Sequence, residues 1–468
     1  MSGKVDFRSR TGIYFLGIGG IGMSALARYF NSLNIPVAGY DRTETQLTRA
    51  LVEEGMDVHY DDAVEQIPAM FKTDSSREQV LVIYTPAMPG DSAELGHFKD
   101  GGYQVLKRAE VLGIIAGEGA CIGVAGTHGK TTVTSMIAHI MNASEVSSNT
   151  FLGGISANYG TNHIQYGDGQ LVIAEADEYD RSFLFLHPNT AVLTSVDADH
   201  LDIYKDVSTM TETYIDFTNN VVDGGVLLLS EGVFDSIGKR VNADAELLTY
   251  SIEGATDYAA EGVRIHEGSY TFDVRTPSGV LTAAALSMGG RHNIENAVAA
   301  IAVADKHGVS HEEIRNALGS YAGVKRRFEL VNPSGPVIYI DDYAHHPSEI
   351  SSALSAVKEL YPGKKLTVLF QPHLFTRTRD FAEDFGKSLS EADRLLLLDI
   401  YPAREEPIEG VTSALIFEHV QAGEKLLCNK ENAIEMIDFD NTGVLLTLGA
   451  GDIDQLIEPI SRHIRTLN

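Results

Sequence analysis

The chain has little cysteine, little positive charge and no long uncharged apolar run, and each shortage closes off a class of protein. Its 468 residues include two cysteines, Cys121 and Cys428. Two thiols cannot supply a four-cysteine metal site, and one bridge would be a thin framework for so long a chain, so a reducing, cytoplasmic setting is expected. Lys and Arg total 36 against 65 Asp and Glu, a net charge of −29. Such a surface repels phosphate backbones and argues against nucleic-acid binding as the main function. A small polyanion can still bind where a local pocket makes its own positive field. No uncharged apolar stretch reaches the roughly 18 residues of a membrane span. Segment 13–27 is uncharged and follows Lys4, Arg8 and Arg10 much as the apolar part of a secretory leader would. Gly17, Gly19, Gly20 and Gly22 decide against a leader, because they break a helical apolar core and suit a turn after a strand. Repeats at solenoid spacing and low-complexity tracts are absent as well.

What remains is an ordinary globular composition, 44% hydrophobic and 22% charged. At about 150 residues per domain the length predicts about three domains. Three stretches each restart a pattern of apolar strand, glycine or polar turn, then helix, the mark of doubly wound α/β domains. Strands are predicted over 13–16, 37–40 and 80–84 in the first, with a helix over 23–33. The second has strands over 121–125, 171–174, 191–196 and 226–229 and a helix over 131–141. Hairpin-like alternation over 263–288 and helices over 294–306 and 311–318 complete it. The third has strands over 337–340, 366–370, 394–399 and 444–448. The predicted domains are 1–112, 113–325 and 326–468.

Two glycine loops carry the first chemical signals. Gly17, Gly19, Gly20 and Gly22, with Ile18 and Ile21 between them, form G-x-G-x-x-G between a strand and a helix, and Asp41 follows at the end of the second strand. Glycines let the backbone approach a diphosphate while free N–H groups at the helix start hold its charge; Asp41 is placed for a ribose. A tight turn with no ligand would use the same glycines, but the intact strand–turn–helix context favours a ligand. NAD, FAD and a UDP-sugar all present the same diphosphate to such a turn. The second loop is Gly126-Thr127-His128-Gly129-Lys130-Thr131-Thr132. Lys130 can balance β- and γ-phosphates, loop N–H groups can cradle them, and a hydroxyl of Thr131 or Thr132 can reach Mg²⁺. The general P-loop pattern needs a glycine where Val124 stands, so the compact form must carry the reading. A capped helix start would also show Gly-Lys-Thr-Thr, yet His and Lys at a glycine turn are poor packing choices. Two phosphate loops in one chain exclude most simple dehydrogenases.

Polar clusters follow at predicted strand ends. Glu175, Asp177, Glu178 and Asp180 close one strand beside the P-loop strand; Asp197, Asp199 and His200 close the next. Strand ends there lie on the ligand side, so Glu175 and His200 are the leading metal ligands, with Asp177 and Glu178 behind them. Gly290-Arg291-His292-Asn293 precedes an alanine-rich helix; Asn293 reads first as a helix N-cap, and Asn and His also suit an adenine edge. Arg326 and Arg327 are clustered cations in an acidic chain, suited to a γ-phosphate or acyl-phosphate. His345 and His346 are adjacent in a loop, which favours substrate or hydrogen-bonding roles over a shared ion. Arg377 can fork onto a carboxylate, while Arg379 and Asp380 can simply pair on the surface.

The order of these motifs resembles the Mur amide ligases of peptidoglycan synthesis. It runs G-I-G-G-I-G-M at 17–23, A-G-T-H-G-K-T-T at 125–132, E-A-D-E at 175–178 and D-A-D-H at 197–200, then G-R-H-N-x-x-N-A at 290–297, R-R-F-E at 326–329, D-D-Y-A-H-H-P at 341–347 and H-x-F-T-R-T at 373–378. Eight motifs in order cover nearly the whole chain. The resemblance implies a Rossmann-like N-terminal domain for a UDP-sugar, a central P-loop-type ATPase domain with a parallel sheet and a small β part, and a C-terminal Rossmann-like α/β domain for an amino acid. It implies ATP, UDP-N-acetylmuramate and L-alanine as substrates, Mg²⁺ or Mn²⁺ as the metal, and no obligate protein partner, nucleic acid or membrane. It places Gly126, Thr127, His128, Gly129, Lys130, Thr131 and Thr132 on ATP, with His292, Asn293 and Asn296 near adenine, and Arg327 and Asp342 reaching the nucleotide. Thr131, Glu175 and His200 hold the metal; Gly17, Gly19, Gly20, Ile21, Gly22, Met23, Asp41 and His128 take the UDP-sugar; Tyr343, His345 and Arg377 take the amino acid. Lys130, His200, Arg327 and His345 are the implied catalytic set. Several relatives use a carbamylated lysine for a second Mg²⁺, but residues 206–238 contain no lysine. Leu374 stands where some members carry arginine and is left out of the amino-acid site. Two rivals remain: another ligase of the family that adds a peptide to the same sugar nucleotide, and a NAD-binding oxidoreductase or nucleotide-sensing module.

Overall fold

The computed structural model describes residues 6–73, 77–197, 204, 206–242, 244–266, 268–403 and 405–467. The chain forms two compact units, Met1–Ala259 with Arg275–Gly279 and Asn296–Ala317, and Ala260–Val274 with Val280–Glu295 and Leu318–Asn468.

The first unit opens with five parallel strands, β1 (Gly12–Leu16), β2 (Val37–Tyr40), β3 (Asp57–His59), β4 (Val80–Tyr84) and β5 (Gln104–Lys107), in the order β3-β2-β1-β4-β5. Every residue of β1 is buried: Ile13 and Phe15 join the core on one face, Tyr14 and Leu16 that on the other. A strand covered by helices on both sides reads as a continuous apolar run for this reason. The order reverses between β1 and β4, and ligand crevices of open α/β sheets lie at such a switch point. The G-x-G-x-x-G turn leaves β1 there and leads into helix α1 (Ile21–Ser32).

A second sheet follows, with β6 (Ala120–Ala125), β7 (Ser148–Phe151), β8 (His163–Tyr166), β9 (Leu171–Glu175), β10 (Thr190–Leu193), β11 (Val226–Ser230) and β12 (Glu246–Ile252). Their order is β12-β11-β10-β6-β9-β7-β8, parallel throughout this series except for the β7–β8 pair. The P-loop therefore leaves β6 with the ends of β9 and β10 on either side. Helix α2 (Arg108–Ala116) follows β5 and helix α3 (Lys130–Ala143) follows the P-loop. The expected hairpins are the strands β13 (Tyr258–His266), β14 (Ser269–Thr276) and β15 (Gly279–Leu286), and the alanine-rich helix is α4 (Arg291–Lys306).

The second unit is built on β16 (Glu329–Asn332), β17 (Ile338–Asp342), β18 (Leu366–Phe370), β19 (Arg394–Leu397), β20 (Glu424–Leu427) and β21 (Val444–Leu448). Their order is β16-β17-β21-β18-β19-β20, parallel except at the β16 edge. Strands β17 and β18 flank the fully buried β21, so the two segments that follow them emerge at one end of the sheet. Helices α5 (Pro347–Leu360) and α6 (Phe375–Asp380) start from those segments. Among the described residues no helix is long and apolar enough to cross a membrane. Both cysteines are buried and free, each thiol pushed up to about 12 by burial.

Candidate active site

The helices that follow the two phosphate loops start without a side-chain cap. Thr45, Ser92, Asp206 and Ser230 cap their helices with a side-chain oxygen. Helix α1 instead starts from Gly20 and α3 from Gly129, neither of which has a side chain to offer. Their first N–H groups form the positive end of the helix dipole, which attracts anions, and no capping side chain occupies them.

The glycine loop is held from below. Gly17, at φ +87°, and Ile18 donate their N–H groups to the Tyr40 carbonyl at 2.8 and 3.0 Å. Gly19 N–H donates to Asp41 Oδ2 at 2.8 Å, and Thr43 N–H donates to Asp41 Oδ1 at 3.2 Å. Asp41, expected at a ribose, braces the loop here. A Cβ on Gly19 would lie 2.6 Å from Thr48 Cγ2 and 2.8 Å from Asp41 Oδ2, so a side chain there would displace the brace, and one on Gly22 would lie 2.7 Å from Arg108 Nη1. Gly20, Ile21, Gly22 and Met23 line a cavity of about 320 Å³ that extends past Arg108 and Thr85 to Gly153, Glu175 and Asp177. Arg108, the first residue of α2, is 17% exposed and pairs with Asp177 at 3.0 Å. This cation was not singled out in the sequence because it lies far along the chain from the loop it faces; its place just after a parallel strand end was the available signal.

At the second loop, Gly126 (φ +132°) and Gly129 (φ +82°) turn the chain from β6 into α3. A Cβ on Gly126 would sit 2.1 Å from Thr194 Oγ1, and one on Gly129 would sit 2.6 Å from Asn296 Oδ1, which brings Asn296 beside the loop. Lys130 Nζ donates to the carbonyls of Gly126 and Thr127 at 2.6 and 3.2 Å and to Glu178 Oε1 at 2.8 Å. Burial pushes the Glu178 carboxyl up, and the Lys130 ammonium works against that shift. Thr131 Oγ1 donates to Glu175 Oε1 at 3.0 Å, while Glu175 Oε2 accepts from Gly153 N–H at 2.8 Å. A hydroxyl and a carboxylate this close suit a hard divalent cation, which takes oxygen ligands. His200 and Asp199 lie outside the described residues. Among those described, no cluster of three His, Cys, Asp or Glu side chains could hold a metal. His128 is exposed, with its backbone N–H on Ser195 Oγ at 2.8 Å, and Thr132 is buried.

In the second unit the arginine pair divides its work. Arg326, at φ +63°, binds Asp341 Oδ2 at 3.2 Å and the carbonyl of Gly449 at 2.5 Å, so it is a structural cation. Arg327 is exposed. Phe328 N–H donates to Asp342 Oδ2 at 2.6 Å and Ala344 N–H to Oδ1 at 2.8 Å. Burial pushes Asp342 up to about 6, and these two N–H donors and Arg327 oppose the shift. Asn293 lies inside the first turn of α4, where its Nδ2 donates to the Gly289 carbonyl at 2.7 Å, so the N-cap expectation is corrected. His292 is exposed and packs beside Gly290.

The last two motifs meet across the end of β21. The rings of His345 and His373 are 6.0 Å apart, and that of Tyr343 is 5.2 Å from His345. His345 Nδ1 lies 3.0 Å from the Tyr343 carbonyl; because a carbonyl only accepts, Nδ1 carries the proton and a neutral ring keeps Nε2 as an acceptor. Burial lowers the pKa of His345, and that of His373 falls to about 4 through burial, then Arg377 and His345. Arg377 Nη1 and His373 Nδ1 are buried with no hydrogen-bond partner among the described residues. A buried guanidinium N–H without an acceptor is a place made for an anion. His346 turns away to Ser348 and Phe381, and Arg379 pairs with Asp380 on the surface, as expected.

Fold and site together define a class: an α/β protein with a diphosphate-type loop, a compact P-loop and, on a third sheet, an arginine whose buried N–H has no acceptor among the described residues. Family models match in the same order, the "Mur ligase family, catalytic domain" over residues 12–119, the "Mur ligase middle domain" over 124–304 and the "Mur ligase, glutamate ligase domain" over 326–451. The UDP-N-acetylmuramate–L-alanine ligase of Christiangramia forsetii is 45% identical, over 96% of this chain and 97% of its own. That of Parabacteroides distasonis is 46% identical, over 97% and 98%. The solved UDP-N-acetylmuramate-alanine ligase MurC of Thermotoga maritima superposes with a TM-score of 0.82 at 26% identity, covering 98% of this chain and 100% of that one. The chain belongs to the Mur ligase family, and its fold is the three-domain α/β fold of that family.

Proposed function

We propose that this protein joins L-alanine to the lactyl carboxylate of UDP-N-acetylmuramate with hydrolysis of ATP to ADP and phosphate. The observation that carries the reading is the first unit's cavity, which runs from the uncapped start of α1 to Glu175, the carboxylate hydrogen-bonded to the P-loop's Thr131. A sugar nucleotide whose diphosphate sits on the glycine loop then extends its carboxylate toward the nucleotide's γ-phosphate. The names of the relatives point to the same substrates. An oxidoreductase would leave the P-loop without a task.

A carboxylate does not accept an amine at neutral pH because its leaving oxygen is too basic. Attack of a carboxylate oxygen on the γ-phosphorus expels ADP and gives an acyl-phosphate; the alanine nitrogen then attacks the acyl carbon, and phosphate leaves. Lys130 exchanges its loop carbonyls and Glu178 for phosphate oxygens. Thr131 and Glu175 would hold a Mg²⁺ or Mn²⁺ ion, which would supply charge neutralisation at the phosphates. Asn296 borders the nucleotide, Arg327 adds charge to the transferred phosphoryl group, and Asp342 fixes the backbone just after Arg327 and Tyr343 through the N–H groups of Phe328 and Ala344. Arg377 binds the alanine carboxylate, and His345 Nε2 takes the proton that the ammonium must lose before nitrogen can attack. Arg108, held by Asp177, adds a positive charge to the sugar-nucleotide pocket.

Phosphate release tests the reading: it requires ATP, UDP-N-acetylmuramate and a short amino acid together. Release that persists when either the sugar nucleotide or the amino acid is omitted contradicts it.

A further inference from the structure

One buried residue of the first unit, through its side chain and its backbone, lies on the connection between the two phosphate loops. Asn162, just before β8, is fully buried. Its Nδ2 donates to the Ile21 carbonyl at 2.6 Å and to Ser24 Oγ at 2.8 Å, both in the first turn of α1. Its Oδ1 accepts from Arg28 Nη1 at 2.5 Å, and Arg28 is anchored in turn by Glu54 at 2.6 Å. The amide is thereby fixed in one orientation, with both ends used. The backbone of the same residue continues the connection, since the Asn162 carbonyl accepts from Leu152 N–H at 2.9 Å. Leu152 and Gly153 line the cavity, and Gly153 N–H holds Glu175 Oε2, whose other oxygen holds Thr131.

An unbroken series of short bonds therefore runs from the turn that starts α1 to the hydroxyl that starts α3. A diphosphate settling on Gly20–Met23 pulls on the turn that Asn162 grips. A nucleotide settling on the P-loop pulls on Thr131, and through Glu175 and Gly153 on the strand end that Asn162 grips from the other side. Each ligand orders the segment that the other needs ordered, which is how two sites come to share free energy.

We infer that Asn162 is a positioning residue that couples occupancy of the sugar-nucleotide loop to occupancy of the P-loop, although it touches neither ligand. The inference rests on the proposed substrates. Its test uses the full chain and two probes, UDP-N-acetylmuramate and a non-hydrolysable ATP analogue with Mg²⁺, each titrated alone and then with the other saturating. In the unaltered protein each probe tightens the other by about fivefold or more, within the usual range of coupling between sites. Asn162→Asp keeps the acceptor for Arg28 but turns an oxygen toward the Ile21 carbonyl. It is expected to hold each single affinity within about threefold while the coupling factor falls toward one. Arg28→Met, which frees the amide from the opposite side, is expected to lower the same factor and serves if Asn162→Asp does not fold. A merely structural role would lower melting temperature and both affinities together and leave their ratio unchanged; that result overturns the inference, as does an unaltered protein with a factor of one. Failure of the unaltered protein to bind the sugar nucleotide at all overturns the ligase reading instead.

Discussion

Replacing Arg377 by Met removes a half-buried cation without removing its bulk, and the structure sets the size of the effect. Arg377 Nη1 has no hydrogen-bond partner among the described residues, and the neighbouring imidazole of His373 is held neutral, at about 4, partly by this guanidinium. Each charge-assisted hydrogen bond is worth about 1.5–3 kcal/mol, so losing a forked contact to the alanine carboxylate costs about 3 kcal/mol, a roughly 100-fold rise in KM for alanine. The variant should fold at least as well as the parent, because an unpaired buried N–H costs about 1–3 kcal/mol that Met does not incur. His373 should titrate at a higher pH, since a positive neighbour has gone. Alanine-dependent phosphate release gives KM, thermal melting gives stability, and NMR of the imidazole gives the titration. An unchanged KM for alanine alongside a native melting temperature would refute the placement of the amino acid.

Lys130→Ala should abolish turnover, by about 10³-fold or more, while UDP-N-acetylmuramate still binds in a calorimetric titration; loss of both would count against two separate phosphate loops. Glu94 gives a pH signature unrelated to catalysis. It is fully buried against Tyr14 and His59, with Tyr14 donating to Glu94 Oε2 at 2.6 Å, and burial raises its carboxyl to about 7. A raised folded pKa means that the stability it lends is complete below the unfolded value of 4.5 and is lost as pH climbs through about 7. The loss amounts to about 3 kcal/mol. Glu94→Gln should remove that slope, so the variant gains on the parent between pH 5 and 8 in urea melts; parallel curves would contradict the assignment.

Parallel strands were the most legible feature of the sequence. Those predicted over 37–40, 80–84, 366–370 and 444–448 form as Val37–Tyr40, Val80–Tyr84, Leu366–Phe370 and Val444–Leu448. Burial on both faces gives such strands an unbroken apolar run with a turn at each end. The strand expected over 191–196 stops at Leu193 because Thr194 and Ser195 are used by the P-loop: Thr194 Oγ1 donates to the His128 carbonyl and Ser195 Oγ accepts from His128 N–H. Edge strand β16 was missed because it is four residues long, with polar residues at both ends and most of it only half buried. Motifs contiguous in sequence were readable, as at Gly17–Gly22 and Gly126–Thr132. Arg108 and Asn162 were not, because each earns its place through a contact distant in sequence. Spacing could not divide Arg326 from Arg327 either; a left-handed turn at Arg326 and the carbonyls after β21 do that.

The central claim is that ATP activates the sugar nucleotide's carboxylate as an acyl-phosphate, and the most direct test follows the oxygen atoms. With the lactyl carboxylate labelled with oxygen-18, complete turnover with ATP and L-alanine should deliver one labelled oxygen to the released phosphate for each amide formed, read by mass spectrometry. Amide formation accompanied by unlabelled phosphate would contradict it.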